Sequence, residues 1–374
     1  MASLAELQLV LFFTRGVSLR TWAEVGMLER EIALYRALRP HLRSITMVTY
    51  GDERDLSYGE ALGDIRVVCN RWKLPSRLYV LMISRLHPLR WKGPTVIRSN
   101  QVAGADVAMR AAQRCGGKYV ARCGYLRSYV MEQHHGLRSP QAEQTRALER
   151  TVFRAADMVV VTTPEIRSAV LERYGVPEER VRVIPNFVLT EMFRPEPSAS
   201  RTGRRLCFIG RLHNEKNPLA LLEAIKGLDV ELDMVGGGEL EEQVREKVRS
   251  DALPVRLLGQ VPHLRLPAII NASDVFVLPS LYEGHPKTIM EAMSCGRAVI
   301  GTNVPGIREL IRHGETGYLC GTSPEEIRAA IEELLADPEL RARLGEQARA
   351  FIVSQFALER IMELELALLR ELAE

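Results

Sequence analysis

The stretch 274–306, DVFVLPSLYEGHPKTIMEAMSCGRAVIGTNVPG, constrains the fold more than any other part of the chain. Val275 to Leu278 is an uninterrupted apolar run, the pattern of a strand buried on both faces. A loop follows, and Pro286 then suits a helix start, where its missing N–H would have had no partner. Ile289, Met290 and Met293 give that helix an apolar stripe, Cys295-Gly296 ends it, and Ala298 to Ile300 reads as the next strand. Strand, loop, helix and strand in this order make a βαβ unit of a parallel sheet, and such sheets bind ligands at the carboxyl ends of their strands.

Two carboxylates mark that end. Glu283 lies in the loop and Glu291 eight residues further on, inside the helix. Gly284 permits close approach to the backbone. The amides around Pro286, Lys287 and Thr288 lie at a helix N-terminus, which favours an anion. A diphosphate held by these amides, with a carboxylate gripping hydroxyls on either side, matches the set. Taken alone, two Glu residues at a fixed spacing more often lie on a solvated face.

The segment EGHPKTIMEAMSCGRAVIGTNVPGIREL resembles the E-x7-E signature of the retaining GT-B glycosyltransferases, in the large family (family 4 type) that includes sucrose synthases and many polysaccharide mannosyl- and glucosyltransferases. The resemblance is close over residues 155–374 and holds in outline over 1–150. It implies that Glu283 contacts the donor sugar and Glu291 the ribose of a nucleotide sugar.

At 374 residues, with about 150 residues per domain as a guide, the chain is expected to form two domains. The expected division is an N-terminal Rossmann-like domain over 1–189, a linker over 190–204, a nucleotide-sugar domain over 205–352, and a terminal helix over 353–374 that returns to the first domain. Both domains are expected to be doubly wound α/β layers facing across a cleft. No apolar run reaches the roughly 18 residues of a membrane span, and Leu7 to Phe13 reads as a first strand rather than a signal peptide. The six cysteines are dispersed without a C-x-x-C pair, which argues for buried thiols in a reducing cytoplasm rather than a zinc cage or a disulfide framework.

In the first half, Gly16 follows the first strand, where relatives turn toward donor phosphate and acceptor; a plain strand–helix turn is the other reading. Relatives place an acceptor-site histidine after the strand at Lys118 to Arg122. Here Cys123 or Arg122 holds that place, and His134 and His135 follow, on a loop that faces either the acceptor or solvent. Residues 1–190 carry 28 Lys and Arg against 18 Asp and Glu, whereas the rest carries 22 against 29. Between Ile65 and Ala105 there is no acid and there are eight cations: Arg66, Arg71, Lys73, Arg77, Arg85, Arg90, Lys92 and Arg98. Trp72 and Trp91 flank an apolar run, Leu78 to Leu86. This composition suits peripheral contact with an anionic membrane, and equally a core helix with solvated arginines.

The second half opens with a buried strand at Leu206 to Ile209, then Gly210-Arg211-Leu212-His213-Asn214-Glu215-Lys216-Asn217. Two cations on one strand-end loop, Arg211 and Lys216, are suited to neutralise a leaving diphosphate, and the GR-L…KN pattern resembles the family's. Gly237, in the triple glycine 236–238, permits a tight turn beside a ligand. Gln260 and Val261 stand where relatives hold the nucleotide base. Together with Gly210, Gly237, Gly284, His285, Pro286, Lys287, Thr288 and Glu291 they form the expected donor site, with Arg211, Lys216 and Glu283 as the catalytic set. No Asp-x-Asp pair occurs, so no metal or other cofactor is expected.

The resemblance implies transfer of a hexosyl group, with retention, from a nucleotide-diphosphate sugar to a glycan or lipid-linked acceptor. UDP-sugar is the favoured donor and GDP-mannose the alternative. In the front-face mechanism discussed for such enzymes, a leaving phosphate oxygen takes the acceptor proton. The expected setting is polysaccharide or lipopolysaccharide biosynthesis in the cytoplasm, at the inner membrane face, without a nucleic-acid partner. A nucleotide-sugar epimerase or phosphorylase on the same fold, and a non-catalytic sugar-nucleotide-binding protein, are the rival readings.

Overall fold

The structure is a computed structural model that describes residues 3–87, 93–197 and 203–374. The chain divides into two compact units, one comprising Met1–Pro185 with Met362–Glu374 and the other Asn186–Ile361. Each is built on a parallel sheet.

The first unit holds strands β1 (Gln8–Phe12), β2 (Ser44–Val48), β3 (Arg66–Val68), β4 (Thr95–Ser99), β5 (Lys118–Cys123), β6 (Met158–Val161) and β7 (Val181–Val183), in the order β3-β2-β1-β4-β5-β6-β7. β1 pairs in parallel with both β2 and β4, so the winding direction reverses between β1 and β4. The second unit holds β8 (Arg205–Ile209), β9 (Glu231–Val235), β10 (Val255–Gly259), β11 (Val275–Leu278), β12 (Ala298–Thr302) and β13 (Tyr318–Cys320), in the order β10-β9-β8-β11-β12-β13. Its reversal falls between β8 and β11. Every residue of β1, β4, β6, β11 and β12 is buried, because helices cover both faces of the sheet.

Three local features depart from the sequence reading. Leu28, Ile32, Tyr35 and Leu38, near helical spacing, predict one helix from about Arg20 to Leu38, but it is broken into Leu19–Glu24 and Leu28–Leu38 by Gly26, whose φ of +70° is left-handed. The boundary of the second unit lies at Asn186, and Phe193, read as part of a linker, is fully buried in that unit's core. The terminal helical stretch is two helices, Pro338–Phe356 and Leu358–Ala373, because Ala357 is extended and bridges Val188: the Val188 amide donates to Phe356 O at 2.8 Å and the Leu358 amide to Val188 O at 3.2 Å.

The last helix is fastened to the first unit by a buried bidentate pair. Arg98 of β4 donates to both carboxylate oxygens of Glu365 at 2.5 and 2.8 Å, and the two side chains are 3% and 2% exposed. Arg98 is therefore not one of the surface cations of the acid-free stretch, and Lys73 is paired with Glu53. Arg66, Arg71 and Arg77 are exposed. Helix Ser76–Leu86 buries Tyr79 and Ile83 and leaves Leu78 and Leu81 outside, at 42% and 74% exposed; Trp72, at 48%, packs on His87 at the helix end. Arg90, Trp91, Lys92 and the side chain of Arg85 lie outside the described residues. All six cysteines are free. Among the described residues no helix is long and apolar enough to cross a membrane, and no group of three or more His, Cys, Asp or Glu is placed to hold a metal ion.

Candidate functional site

The reversal in the second sheet leaves the loops after β8 and β11 at a topological switch point, where open α/β sheets bind ligands. Those two loops carry Lys216 and Glu283. The β8 loop runs through Gly210 to a short turn, Asn214–Lys216, and the left-handed Asn217 (φ +53°) starts the next helix. The β11 loop begins at Pro279 and ends at Pro286, the N-cap of helix Lys287–Ser294.

Side chains tie the two loops together. Lys216 Nζ donates to Glu283 Oε1, and the same oxygen accepts from Ser280 Oγ at 2.7 Å. The Lys216 and Glu283 side chains are 15% and 10% exposed. The Leu281 amide donates to Glu215 O at 2.8 Å, and Thr302 Oγ1, at the end of β12, donates to Ser280 O. Arg211 is placed differently: its side chain is 68% exposed and its partner is Glu215, at 3.4 Å. The expected cation pair is thus one embedded lysine and one arginine at the rim.

The glycines of this edge serve loop packing as much as ligand approach. A Cβ on Gly236 would collide with Gly210 O, and one on Gly238 would stand 2.5 Å from Leu212 O. Gly237 O accepts from the Leu212 amide at 3.0 Å, and a Cβ on Gly237 would meet Glu241 and Gln260. The Gly236 amide donates to Gly259 O at 2.8 Å, so the loops after β8, β9 and β10 form one rim. Gln260 is exposed on it and Val261 is half-buried. Gly306 (φ +79°) brings the loop after β12 against the Glu283 and Gly284 carbonyls so closely that a Cβ would clash.

Helix Lys287–Ser294 departs from expectation at its carboxylate. Glu291 does not face solvent. Its side chain is 2% exposed and its Oε1 lies 2.8 Å from His263 Nε2. His285 is buried as well: its Nδ1 accepts from the Asn186 amide at 3.3 Å, while Asn186 Nδ2 donates to the His285 carbonyl at 2.8 Å. The His285 ring also lies 5.4 Å from that of Phe356. Lys287 Nζ stands 5.8 Å from the Phe187 ring centroid, and Thr288 is half-buried.

In the first unit the acceptor-side residues scatter. Cys123 is fully buried, its thiol donates to Tyr125 O at 3.2 Å, and burial pushes its pKa well above the ordinary value, so it faces no ligand. Arg122 is half-buried, and desolvation and the neighbouring Arg98 push the guanidinium pKa down. His134 and His135 are in the last turn of helix Arg127–His135, not on a loop, and both are exposed. Gly16 lines a pocket of about 370 Å³ at the carboxyl ends of β1 to β3, with Arg20, Tyr50, Asp52, Asn70 and Lys73. The Tyr50 hydroxyl is buried without a hydrogen-bond partner, and burial pushes its pKa up to about 12.

Sequence reasoning overlooked Ser280, His263 and Gly306. Ser280 and Gly306 stood inside the opening stretch, and V-P-G signals a turn with a left-handed glycine. Nothing in V-P-H-L indicates that His263 meets a carboxylate on a distant helix.

Sequence models describe residues 190–351 as "Glycosyl transferases group 1" and residues 32–191 as "Glycosyltransferase Family 4". The alpha-maltose-1-phosphate synthase of Mycolicibacterium smegmatis is 28% identical over 258 residues, 60% of this chain and 66% of that protein. The D-inositol 3-phosphate glycosyltransferase of Thermobispora bispora is 32% identical over 222 residues, 53% of this chain and 52% of that protein. The matched part thus spans about half to two thirds of these relatives' length. Among solved structures, the sucrose-phosphate synthase of Thermosynechococcus elongatus has a TM-score of 0.81 at 23% identity, covering 98% of this chain and 99% of that one. HepE of Anabaena, solved with UDP and glucose, has a TM-score of 0.79 at 18% identity, covering 97% and 99%. At these identities the likeness establishes the fold, which is the two-domain α/β GT-B fold.

Proposed function

The chain belongs to the GT-B glycosyltransferases of the family 4 type, and from this premise we propose that it moves a hexosyl group from a nucleotide-diphosphate sugar to a glycan or lipid-linked acceptor, with retention of anomeric configuration. The observation that carries the reading is the joining of Lys216 and Glu283 across the switch point of the second sheet. A cation held beside a carboxylate at two strand ends suits a sugar diphosphate: Lys216 neutralises charge on the leaving diphosphate, and Glu283 accepts from sugar hydroxyls. The first amides of helix Lys287–Ser294 add donors for the phosphates. Arg211, Gly210, Gly237, Gly284 and Pro286 shape the phosphate side of the site, Gln260 and Val261 the base side, and Glu291 the ribose side. In the reaction the bond from the sugar C1 to the phosphate oxygen breaks and a bond from C1 to the acceptor oxygen forms. The acceptor proton passes to the leaving phosphate oxygen, so the protein's task is positioning and charge stabilisation.

UDP-sugar is the favoured donor, in keeping with the UDP and glucose bound to HepE. The acceptor belongs to the first unit, at the pocket beside Gly16. The exposed Trp72, Leu78 and Leu81, with Arg71 and Arg77 beside them, support peripheral contact with an anionic membrane.

The test is slow donor hydrolysis. The purified protein is incubated with UDP- and GDP-sugars, with and without excess EDTA, and the released sugar is followed by NMR. Release of nucleoside diphosphate and a sugar of retained configuration, unaffected by EDTA, is the expected result. A changed sugar on an intact nucleotide identifies an epimerase, binding without release identifies a non-catalytic protein, and either outcome overturns the proposal. Complete loss in EDTA restored by Mg²⁺ or Mn²⁺ overturns its metal-free part.

A further inference from the structure

We infer that His263 is a positioning residue for the nucleoside end of the donor: its hydrogen bond to Glu291 sets the orientation of that carboxylate and ties it to the loop that ends at Pro262. The inference rests on the reading of Glu291 as the ribose contact.

His263 opens the short turn His263–Arg265, directly after Gln260, Val261 and Pro262. Its side chain is 4% exposed and its Nε2 stands 2.8 Å from Glu291 Oε1. Its other ring nitrogen, Nδ1, is buried with no hydrogen-bond partner, and the ring lies 5.0 Å from that of Phe193. Glu291 is therefore the polar anchor of the imidazole. The tautomer with its proton on Nε2 accounts for the arrangement, because it donates to the carboxylate and leaves Nδ1, the nitrogen without a partner, as the acceptor. The aromatic packing fixes the ring, and the ring in turn fixes the carboxylate.

A glutamate rotates about three side-chain bonds, and locking it in advance removes the entropy cost of locking it on ligand binding. An ionised carboxylate has about four lone-pair sites, more than the bond to His263 uses, and can accept from ribose hydroxyls as well. The carboxylate is shielded in this structure, so a ribose reaches it only with a shift of the adjoining chain. Residues 260–262 are the nearest such segment in sequence to His263, and they carry the proposed base contacts. The hydrogen bond thus makes recognition of base and ribose one event rather than two.

The experiment compares binding of UDP with that of 2′,3′-dideoxy-UDP by calorimetry, with GDP and its dideoxy analogue in parallel. Wild-type protein is expected to lose about tenfold in affinity without the hydroxyls, the scale of one lost hydrogen bond to a charged group. His263→Phe keeps a ring against Phe193 and removes the donor, and is expected to reduce the preference below about twofold. His263→Gln, which restores an Nε2–H, is expected to return most of it. A role in stability alone would lower Tm in His263→Phe without changing the preference, and that result overturns the inference. Loss of the preference in His263→Gln as well overturns it too. A wild-type protein indifferent to the hydroxyls instead overturns the ribose reading of Glu291 itself.

Discussion

Replacing Lys216 by alanine removes the one embedded cation of the proposed diphosphate site. Its Nζ shares Glu283 Oε1 with Ser280, and both charged side chains are at least 85% shielded. Two effects follow. In the free protein Glu283 keeps the Ser280 hydroxyl as a donor, and loss of a hydrogen-bond partner by a shielded polar group costs about 1–3 kcal/mol. In the transition state the leaving diphosphate loses a preorganised positive charge, an effect of about 2.7–4 kcal/mol, or two to three powers of ten in kcat. Arg211→Ala is the internal comparison. Its side chain is 68% exposed and paired at 3.4 Å, so water and salt screen its contribution. A loss of about tenfold or less is expected, shrinking further as salt rises. The assay is the initial rate of nucleoside diphosphate release from the donor, at low and high salt, with thermal unfolding as the control for folding. The reasoning fails if Lys216→Ala, correctly folded, keeps kcat within about threefold of wild type, or if Arg211→Ala is the more damaging change.

Glu365→Ala leaves Arg98 charged and buried without its bidentate partner, and breaking such a pair costs about 3–5 kcal/mol; a large fall in the urea midpoint of the first unit is expected, and an unchanged midpoint would show that the pair does not fasten the terminal helix. Replacing both partners together, as Arg98→Met with Glu365→Leu, is expected to cost much less. Leu81→Ser, on the solvent face of helix Ser76–Leu86, combined with Trp72→Ser, on the turn that precedes the helix, is expected to reduce co-sedimentation with phosphatidylserine vesicles and leave donor hydrolysis intact; absence of binding by wild-type protein to anionic vesicles at low salt would sink the membrane contact.

How far the sequence could be read depends on whether a feature is local. β11 has the boundaries its apolar run indicates, because a strand covered on both faces stays apolar until the chain leaves the sheet. Lys216 and Glu283 were legible for the same reason: each follows such a run, and polar residues at the carboxyl ends of parallel strands are where ligands bind. The break at Ala357 was not legible. Alanine is the best helix former, and its extended conformation is stabilised by Val188, a partner far away in sequence. Cys123 was misplaced on the acceptor side because it is the last residue of β5, where burial on both faces and the thiol's bond to Tyr125 O turn it inward. Of the three consecutive glycines, two are required by the approach of the β8 loop, a contact that no local pattern encodes.

Glu291 shows the same limit within the signature itself. The spacing from Glu283 places it on the helix, but the helix position alone does not determine what its carboxylate meets. That depends on His263, which reaches it from another loop, and on Phe193, which packs behind the imidazole from a segment that reads as linker. A motif of two glutamates therefore specifies where the carboxylates start, and packing from residues outside the motif specifies where they point. Chains with the same pair but without a hydrogen-bond donor at position 263 are expected to hold the second carboxylate less firmly, and to distinguish ribose from its deoxy analogues less well.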